Sequence, residues 1–221
     1  MSPSFQLSCL DAALSIAQAA GRVLAEGAFR RHDAESKSAT TDLVTRYDRA
    51  AEEVIVAAIR SRFPDHRILA EESGAHGSDD GAPRWIIDPL DGTTNFAHGL
   101  PLFSVSIACE WEGKVRVGVV SAPALGWTFS ASLGHGAQRN GQPILVSQTP
   151  TIERALLVTG FPYDRKTAKE NNFAQFVTLK RRAQGIRRLG SAALDLSLVA
   201  AGSLDGYWEM KLKPWDIAAG L

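Results

Sequence analysis

The amino-acid sequence predicts an α+β fold built in layers, and three observations predict it. Apolar residues recur at helical spacing through roughly the first quarter of the chain. Short apolar runs of the kind that form an antiparallel sheet follow, and strand and helix patterns alternate after them. Each element of this kind must bury its apolar face against another element, so helices and sheets are expected to stack in layers.

Two helices are predicted first. One covers residues 7–29, where leucine, alanine and valine recur every three or four positions. The second is predicted to start near Asp42 and to run to Arg60, and Pro64 ends it. The short apolar segment 67–70 predicts a strand that leads into Glu71 and Glu72.

A sheet and then an alternating region are predicted next. Residues 74–83 are rich in Gly, Ser and Asp, which predicts a mobile loop. Strands are predicted at residues 85–87, 103–110, 114–120, 128–132, 144–146 and 155–159, and helices at 171–182 and 191–201. No repeat or low-complexity linker interrupts this order. We therefore expect one domain over residues 1–221, with a lobe of helices and antiparallel sheet in 1–145 and a partial α/β lobe in 146–221.

Composition limits the possible functions. The 221 residues contain 24 Lys and Arg against 24 Asp and Glu, so no overall field favours nucleic acid or an anionic membrane. The two cysteines, Cys9 and Cys109, have no metal-binding spacing, which predicts buried thiols in a reducing compartment. The apolar N-terminal stretch is interrupted by polar residues, so neither a signal peptide nor a membrane span is expected. These features together predict a cytoplasmic protein.

Two carboxylates follow the apolar run Trp85-Ile86-Ile87. Asp88 ends that run, Pro89 is expected to turn the chain, and Asp91 lies three residues further on. Carboxylates that converge on one point repel each other, and a divalent cation removes that repulsion. With no His or Cys nearby, the hard oxygen ligands favour Mg²⁺.

The residues after Asp91 extend this pattern. Gly92, Thr93 and Thr94 offer backbone N–H groups and hydroxyls of the kind that receive an anion at a helix start. A metal beside a phosphate-binding turn is what phosphoryl chemistry requires. The alternative is that residues 89–92 form an ordinary turn, in which Pro sets φ and Gly closes it. A plain turn requires neither the preceding aspartate nor the Thr-Thr-Asn that follows, so we favour the functional interpretation.

Residues 85–96 resemble the signature of the inositol monophosphatase family, which consists of Mg²⁺-dependent, lithium-sensitive phosphatases. Two further segments agree in the expected order: residues 70–73, Ala-Glu-Glu-Ser, and residues 213–220, Lys-Pro-Trp-Asp-Ile-Ala-Ala-Gly. Residues 37–48, which include Asp42, also fit. The resemblance implies a layered αβαβα sugar-phosphatase fold, a homodimer and a small phosphorylated substrate.

The resemblance also implies roles for individual residues. Two or three Mg²⁺ ions would be held by Glu71, Asp88, the carbonyl of Leu90, Asp91 and Asp216. Thr93, paired with Asp48, would orient and deprotonate the attacking water, and Glu71 would hold the third ion through water. The N–H groups of Gly92 and Thr93 would bind phosphate. The pocket for the substrate's hydroxyls would be lined by Gly190, Ser191, Ala192 and Glu209.

The reaction implied is hydrolysis of myo-inositol 1-phosphate or a similar monoester. Three other substrates remain open with the same chemistry: fructose 1,6-bisphosphate, histidinol phosphate and a 3′-phosphonucleotide. A non-catalytic regulator that keeps the fold and binds a protein or RNA is the alternative from another class, although nucleic-acid binding is not expected from the charge balance. Members of the family continue beyond the position of Leu221, so we expect the C-terminal part of the fold to be incomplete and Asp216 to be loosely anchored.

Overall fold

The computed structural model describes residues 3–37, 43–77 and 81–221. The predicted helix start at Asp42 therefore lies outside the described residues, as does the stretch 78–80 of the predicted loop. Six α-helices and thirteen strands are found in the described parts of the chain.

The two predicted N-terminal helices are confirmed. Helix α1 spans Pro3–Gly27 and α2 spans Arg46–Arg62. Helix α2 begins four residues later than predicted, because Thr45 caps it. The Thr45 side chain accepts from the Tyr47 N–H, and the Asp48 carboxylate accepts from the Thr45 N–H at 2.7 Å. Two short strands precede it, β1 (Glu35–Ser36) and β2 (Leu43–Val44), which pair with each other.

An eight-stranded sheet forms the centre of the molecule, in the order β10-β9-β8-β7-β6-β5-β3-β4. Its neighbours are antiparallel except β3 and β5, which are parallel. The strands are β3 (Arg67–Ala70), β4 (Gly74–His76), β5 (Arg84–Asp91), β6 (Ser104–Trp111), β7 (Lys114–Ala122), β8 (Trp127–Ser132), β9 (Ala137–Arg139) and β10 (Gln142–Pro143).

The structure corrects three details of this region. Part of the predicted loop is strand β4, which pairs with β3. The predicted strand at residues 144–146 is wrong: Leu145 is 83% exposed and has no layer to pack against. Strand β5 does not turn at Pro89 but continues to Asp91. Its pairing with β6 is interrupted there because proline has no N–H to donate.

A second, parallel sheet has three strands in the order β12-β11-β13. These strands are β11 (Leu156–Thr159), β12 (Gly185–Arg187) and β13 (Gly206–Trp208). The helices are α3 (Thr93–Ala97), α4 (Phe173–Lys180), α5 (Ala192–Ala200) and α6 (Pro214–Ile217). The predicted helices 171–182 and 191–201 are thus confirmed as α4 and α5, each shorter by a few residues.

The elements stack as predicted for a layered α+β fold. Helices α1 and α2 pack on one face of the large sheet, and α5 and α6 pack on the other. Helix α5 also contacts β13 of the small sheet, and α4 adjoins that sheet, since the ring of Phe176 lies 5.6 Å from that of Phe161 just after β11. The two-lobe division at residue 145 stays a prediction.

Strand β5 is buried on both faces, which explains its unbroken apolar run. Trp85 and Ile87 belong to the core beneath α1 and α2, and Ile86 packs with Ala218 on the opposite face. The same two-sided burial places the end of β5, with Asp88, deep inside the protein.

Helix α1 contributes the first layer. In the described residues, Ser4–Gly27 is a helix long and apolar enough to cross a membrane, by length and composition only. Of an 18-residue stretch within it, 44% is buried inside the protein. Its Ala13 and Ile16 pack in the core shared with α2 and the sheet, as in the core helix of a globular protein. Cys9 lies on this face opposite Cys109 of β6; both are buried and free, as predicted.

Candidate active site

The site forms where the parallel strands β3 and β5 end. Parallel neighbours bring their carboxyl ends to the same edge of a sheet. Glu71 follows β3 directly and its N–H donates to the carbonyl of Ile87 at 3.2 Å, so Glu71 lies beside Asp88. The signature at residues 85–96 and the acidic pair at residues 71–72, which are separate in sequence, thereby meet at one place.

Asp88 is the most enclosed of these groups, with 2% of the residue exposed. Its Oδ1 accepts from the N–H of Leu90 at 3.0 Å. Burial raises the pKa of Asp88 well above its ordinary value, and three neighbouring carboxylates raise it further: Glu71, Asp91 and Asp216. A negative charge at this position is therefore uncompensated by the protein.

Asp91 is held by the start of helix α5. Its Oδ2 accepts from the Ser191 hydroxyl and from the Ala193 N–H, both at 2.7 Å. Burial raises the pKa of Asp91 to about 7; the Ser191 bond lowers it, and the nearby charge of Asp216 raises it. The contact with Ser191, which is 100 residues away in the sequence, fixes the orientation of the Asp91 carboxylate.

Asp216 enters the site from helix α6. It lies in the first turn and its Oδ2 accepts from the Lys213 N–H at 2.6 Å. Burial raises the pKa of Asp216 to about 6, the Lys213 bond lowers it, and Glu71 raises it again. Four carboxylates from three parts of the chain, the end of β3, strand β5 and helix α6, thus share one electrostatic environment.

Lys37 supplies the positive charge nearest to this group. Its Nζ donates to Glu71 Oε1 at 2.8 Å and also contacts Glu72. Burial nevertheless raises the pKa of Glu71 above its ordinary value, although Lys37 lowers it. One ammonium group does not balance the cluster. The structure places Lys37 against the acidic pair at residues 71–72.

The donor chemistry fits a hard divalent cation. All four side chains are carboxylates, and the carbonyl of Leu90 lies between Asp88 and Asp91 in strand β5. As placed, no three His, Cys, Asp or Glu side chains surround a common point anywhere in the described ranges. Three of the four instead bind Lys37, the α5 start and the Lys213 N–H. The raised pKa values of the four carboxyl groups show that their ionised forms are unfavourable without a cation. Bound Mg²⁺ would favour the ionised forms, so the residue types and their electrostatics match such an ion.

Thr93 and Asp48 form a pair beside this cluster. The Thr93 hydroxyl lies 2.9 Å from Asp48 Oδ1 and 3.0 Å from the carbonyl of Leu90. Asp48 is fully buried and also accepts from Thr45, the cap of α2. Burial raises the pKa of Asp48, although the bonds from Thr45 and Thr93 lower it. The pair joins α2 to α3, an association that sequence spacing alone does not show.

The turn between β5 and α3 requires glycine. Gly92 has φ +94, a backbone conformation that residues other than glycine rarely adopt. A Cβ there would lie 2.9 Å from the carbonyl oxygen of Leu102 and 3.1 Å from that of Gly190. The tight approach directs the chain so that Thr93 opens helix α3.

A cavity of about 440 Å³ lies next to the carboxylates. Of the predicted site residues, it is lined by Glu71, Asp91, Gly190, Ser191, Ala192, Glu209 and Asp216. Asp48, Asp88, Leu90, Gly92 and Thr93 do not line it. The Ser191 hydroxyl is bound to Asp91, so its side chain orients a carboxylate where we expected it to face substrate hydroxyls. Arg188, which the sequence analysis did not single out as a site residue, also lines the cavity.

Glu209 also lines this cavity. It follows β13, and its Oε2 accepts from the Tyr207 hydroxyl at 2.8 Å. Burial raises the pKa of Glu209, while the Tyr207 bond and the charge of Arg188 lower it. A partly buried carboxylate with free acceptor positions can accept hydrogen bonds from hydroxyl groups.

Two supporting residues were missed by sequence reasoning. Glu52 of α2 is buried and accepts from the N–H groups of Glu72 and Ser73, which fixes the turn that carries Glu71. Asn95 donates to the carbonyls of Leu102 and Leu189, at 2.6 and 2.7 Å. Only the position of Asn95 within the signature could have pointed to it; nothing in the local pattern marks Glu52.

Comparison with known proteins gives consistent results. The model of the inositol monophosphatase family matches residues 6–221. An inositol-1-monophosphatase from Synechocystis is 48% identical, over 99% of this chain and 78% of that protein. A protein named Nus factor SuhB, from Pasteurella multocida, is 46% identical over 96% of this chain and 79% of its own length. The solved inositol monophosphatase from Anabaena superposes with a TM-score of 0.87 at 47% identity, covering 97% of this chain and 79% of that one.

Proposed function

The chain belongs to the inositol monophosphatase family, and we propose that it hydrolyses myo-inositol 1-phosphate or a similar small phosphate monoester with Mg²⁺ as cofactor. Membership makes it a phosphatase, a phosphoric monoester hydrolase. The observation that carries the finer proposal is the cluster of four carboxylates whose charges raise one another's pKa beside a cavity.

The residues proposed to hold Mg²⁺ divide into two sets. Glu71, Asp88 and the carbonyl of Leu90 form one set; Asp88, Asp91 and Asp216 form the other. Glu71 is proposed to hold a third, weaker ion through water. When bound, Mg²⁺ supplies positive charge that neutralises phosphate oxygens and lowers the pKa of water.

Thr93 and Asp48 are proposed to position the attacking water. The Thr93 hydroxyl donates to Asp48 Oδ1, which leaves the lone pairs of Oγ1 to accept a hydrogen bond from water. A proton passed from water to Thr93 Oγ1 can move on to Asp48. The buried environment that raises the pKa of Asp48 makes its carboxylate the stronger proton acceptor.

Binding of the ester is proposed to use the cavity and the adjoining turn at Gly92, which lies next to Gly190 of the cavity wall. The N–H groups of Gly92 and Thr93, at the start of α3, would bind the phosphate. Gly190 and Ala192 would shape the wall next to it, with Ser191 holding Asp91. Glu209 would accept hydrogen bonds from hydroxyl groups of the alcohol portion, which favours a polyol or sugar over a plain alkyl ester.

A phosphate-release assay tests this proposal. The purified chain would be given myo-inositol 1-phosphate, fructose 1,6-bisphosphate, histidinol phosphate and a 3′-phosphonucleotide, each with and without Mg²⁺. We expect turnover that requires Mg²⁺ and is fastest with the inositol ester. Faster turnover of another ester would change the substrate but keep the chemistry, while turnover of equal rate without any divalent ion would refute the cofactor assignment.

A regulatory role is a second candidate, and one observation favours it. Relatives at 42–46% identity carry the name Nus factor SuhB. Lys180, Arg181, Arg182 and Arg187 of this chain form an exposed basic group that could contact RNA. Fluorescence titration of single-stranded RNA tests it: salt-sensitive binding that Arg181→Glu with Arg182→Glu abolishes would support the role, and no binding at low salt would exclude it.

We also propose that the chain is a cytoplasmic homodimer, the usual state that the family resemblance implies. Light scattering coupled to size-exclusion chromatography would test the oligomer. A mass near twice the 23.8 kDa of the chain is expected, and a mass near that of one chain would contradict it.

A further inference from the structure

Asn172 is an unusual residue at the start of helix α4. It is fully buried and its backbone has φ +70, the left-handed region that asparagine tolerates better than most residues. An asparagine before a helix normally caps it with its side chain. Asn172 makes no such bond; the Phe173 N–H is accepted by Asn171 at 3.2 Å instead.

The Asn172 side chain instead joins the ends of two strands. Its Nδ2 donates to Thr159 Oγ1 at 2.8 Å and to the carbonyl of Gly160 at 2.7 Å, both at the end of β11. Its Oδ1 accepts from the indole N–H of Trp208, at the end of β13, at 2.6 Å. Both protons of the amide and its oxygen are therefore used.

The same two strand ends position Glu209. Thr159 Oγ1 adds a second link between them, since it lies 2.5 Å from the carbonyl of Trp208, the residue before Glu209. The Glu209 carboxylate lies against the α-carbon of Gly160, where any Cβ would overlap both of its oxygens. Two residues that Asn172 holds directly, Gly160 and Trp208, thus border Glu209 on either side.

We propose that Asn172 is a positioning residue for substrate selection. By fixing Gly160 and Trp208 relative to each other, it holds the Glu209 carboxylate at the cavity, and so favours phosphate esters whose alcohol portion carries hydroxyl groups. This inference rests on the proposed phosphatase function. We call Asn172, Thr159, Gly160, Trp208 and Glu209 the polar clamp.

Substitution by glycine tests the clamp, because glycine tolerates the positive φ and removes only the side chain. We expect Asn172→Gly to lower the ratio of kcat/KM for myo-inositol 1-phosphate to that for p-nitrophenyl phosphate by about tenfold, mainly through KM for the inositol ester. The second ester lacks hydroxyl groups on its alcohol portion, so it reports the phosphate and metal end separately. An equal loss on both esters would mean a general structural role and would overturn the proposal.

Asn140→Gly is a matched control. Asn140 also has a positive φ, +52, and its side chain also binds backbone groups, Thr128 N–H and the Gly126 carbonyl, but it lies in the turn after β9. The ratio should not change in this variant. In a Glu209→Ala background, Asn172→Gly should change the ratio by less than about twofold, because the group it positions is gone. A further tenfold fall there would contradict the proposed path.

A crystal structure of Asn172→Gly gives a readout that does not depend on activity. We expect the Glu209 carboxylate to leave its place against Gly160 while the carboxylates on β3 and β5 stay where they are. An unmoved Glu209 would overturn the clamp even if activity fell. Absence of turnover on every ester by the unaltered protein would count against the phosphatase proposal instead, and the position of Glu209 in the variant would still decide whether Asn172 positions it.

Discussion

The acidic carboxylates and the polar clamp differ in how far the protein itself satisfies their polar groups. At the acidic end, defined by Glu71, Asp88, Asp91 and Asp216, burial and mutual repulsion raise the pKa values and the protein leaves the charge unbalanced. In the polar clamp, the amide of Asn172 uses both donor protons and its acceptor oxygen. The carboxylates of the acidic end lack an opposite charge, whereas the donor and acceptor groups of the Asn172 amide are all paired within the protein.

This difference indicates how the two ends work. Uncompensated buried charge costs stability, and a fold keeps it where a ligand of opposite charge supplies the compensation. A saturated hydrogen-bond network is rigid and holds a group in one position before the substrate arrives. We therefore expect changes at the acidic end to abolish chemistry, and changes in the clamp to alter which ester is preferred.

The largest effect is expected from Asp91→Asn. The amide oxygen can still accept from Ser191 and Ala193, so the local fold should remain, but the charge is lost. We expect kcat to fall at least about a thousandfold, the loss that follows when several kcal/mol of charge stabilisation disappear. The melting temperature of the metal-free protein should rise, because an unbalanced buried charge is removed.

Asp205→Asn is the control for the sign of that change. Hydrogen bonds from Ser147, Thr149 and the Leu156 N–H lower the pKa of Asp205, so its charge is favourable. The melting temperature of this variant should fall while activity is kept. If Asp91→Asn and Asp205→Asn shift stability in the same direction, the contrast between the two kinds of site is wrong.

Thr93→Val should have the next largest effect. Valine keeps the shape of threonine but cannot pass a proton to Asp48, and loss of such a proton path typically costs about a hundredfold or more in kcat. Thr94→Val, at the exposed neighbouring position, should change kcat less than about twofold. Steady-state kinetics of the two variants decide, and comparable losses would remove the special role of Thr93.

Glu209→Gln should act on preference more than on chemistry. Glutamine still accepts from the Tyr207 hydroxyl, but an uncharged acceptor binds hydroxyl groups less strongly. We expect KM for myo-inositol 1-phosphate to rise about tenfold. A loss confined to kcat would assign Glu209 to the chemical step. It would then contradict the distinction between carboxylates that act in chemistry and a clamp that acts in substrate preference.

The smallest expected effect is on the pH dependence of stability. Burial raises the pKa of Asp91 from an ordinary 3.8 to about 7, and that of Asp216 to about 6. The folded state then binds more protons than the unfolded chain, so this stability is fully present below about pH 4 and is lost as the pH rises through 6 and 7.

Calorimetry of the metal-free protein measures that dependence. Between pH 5 and pH 8 the melting temperature should fall by about 5–10 °C more in the unaltered protein than in Asp91→Asn. Saturating Mg²⁺ should reduce the difference, since it stabilises the ionised form. Identical slopes in the two proteins would mean that Asp91 is not the titrating group.

Much of the fold could be predicted because its signals are local. Helical periodicity located α1, and apolar runs located β5, β6 and β7. The errors arose where long-range packing decides. Residues 144–146 are as apolar as a strand, yet no sheet neighbour covers Leu145. Gly74–His76 looks like a loop and becomes a strand because β3 offers it a free edge.

The site divides in the same way. The predicted carboxylates could be found from their motifs, and the structure brings them to one edge of the sheet. The polar clamp could not be found, since Asn172 and Trp208 are 36 residues apart and a single asparagine before a helix looks like a cap. Only the positive φ and the buried amide distinguish it.

The proposed site consists of acidic side chains that meet to bind divalent ions, and anomalous diffraction from crystals soaked in Mn²⁺ tests that most directly. We predict anomalous density between Asp88 and Asp91, with a second peak towards Glu71, and its loss from the first position in Asp91→Asn. Crystals that diffract well and contain no ion between Asp88 and Asp91 at saturating Mn²⁺ would contradict the account.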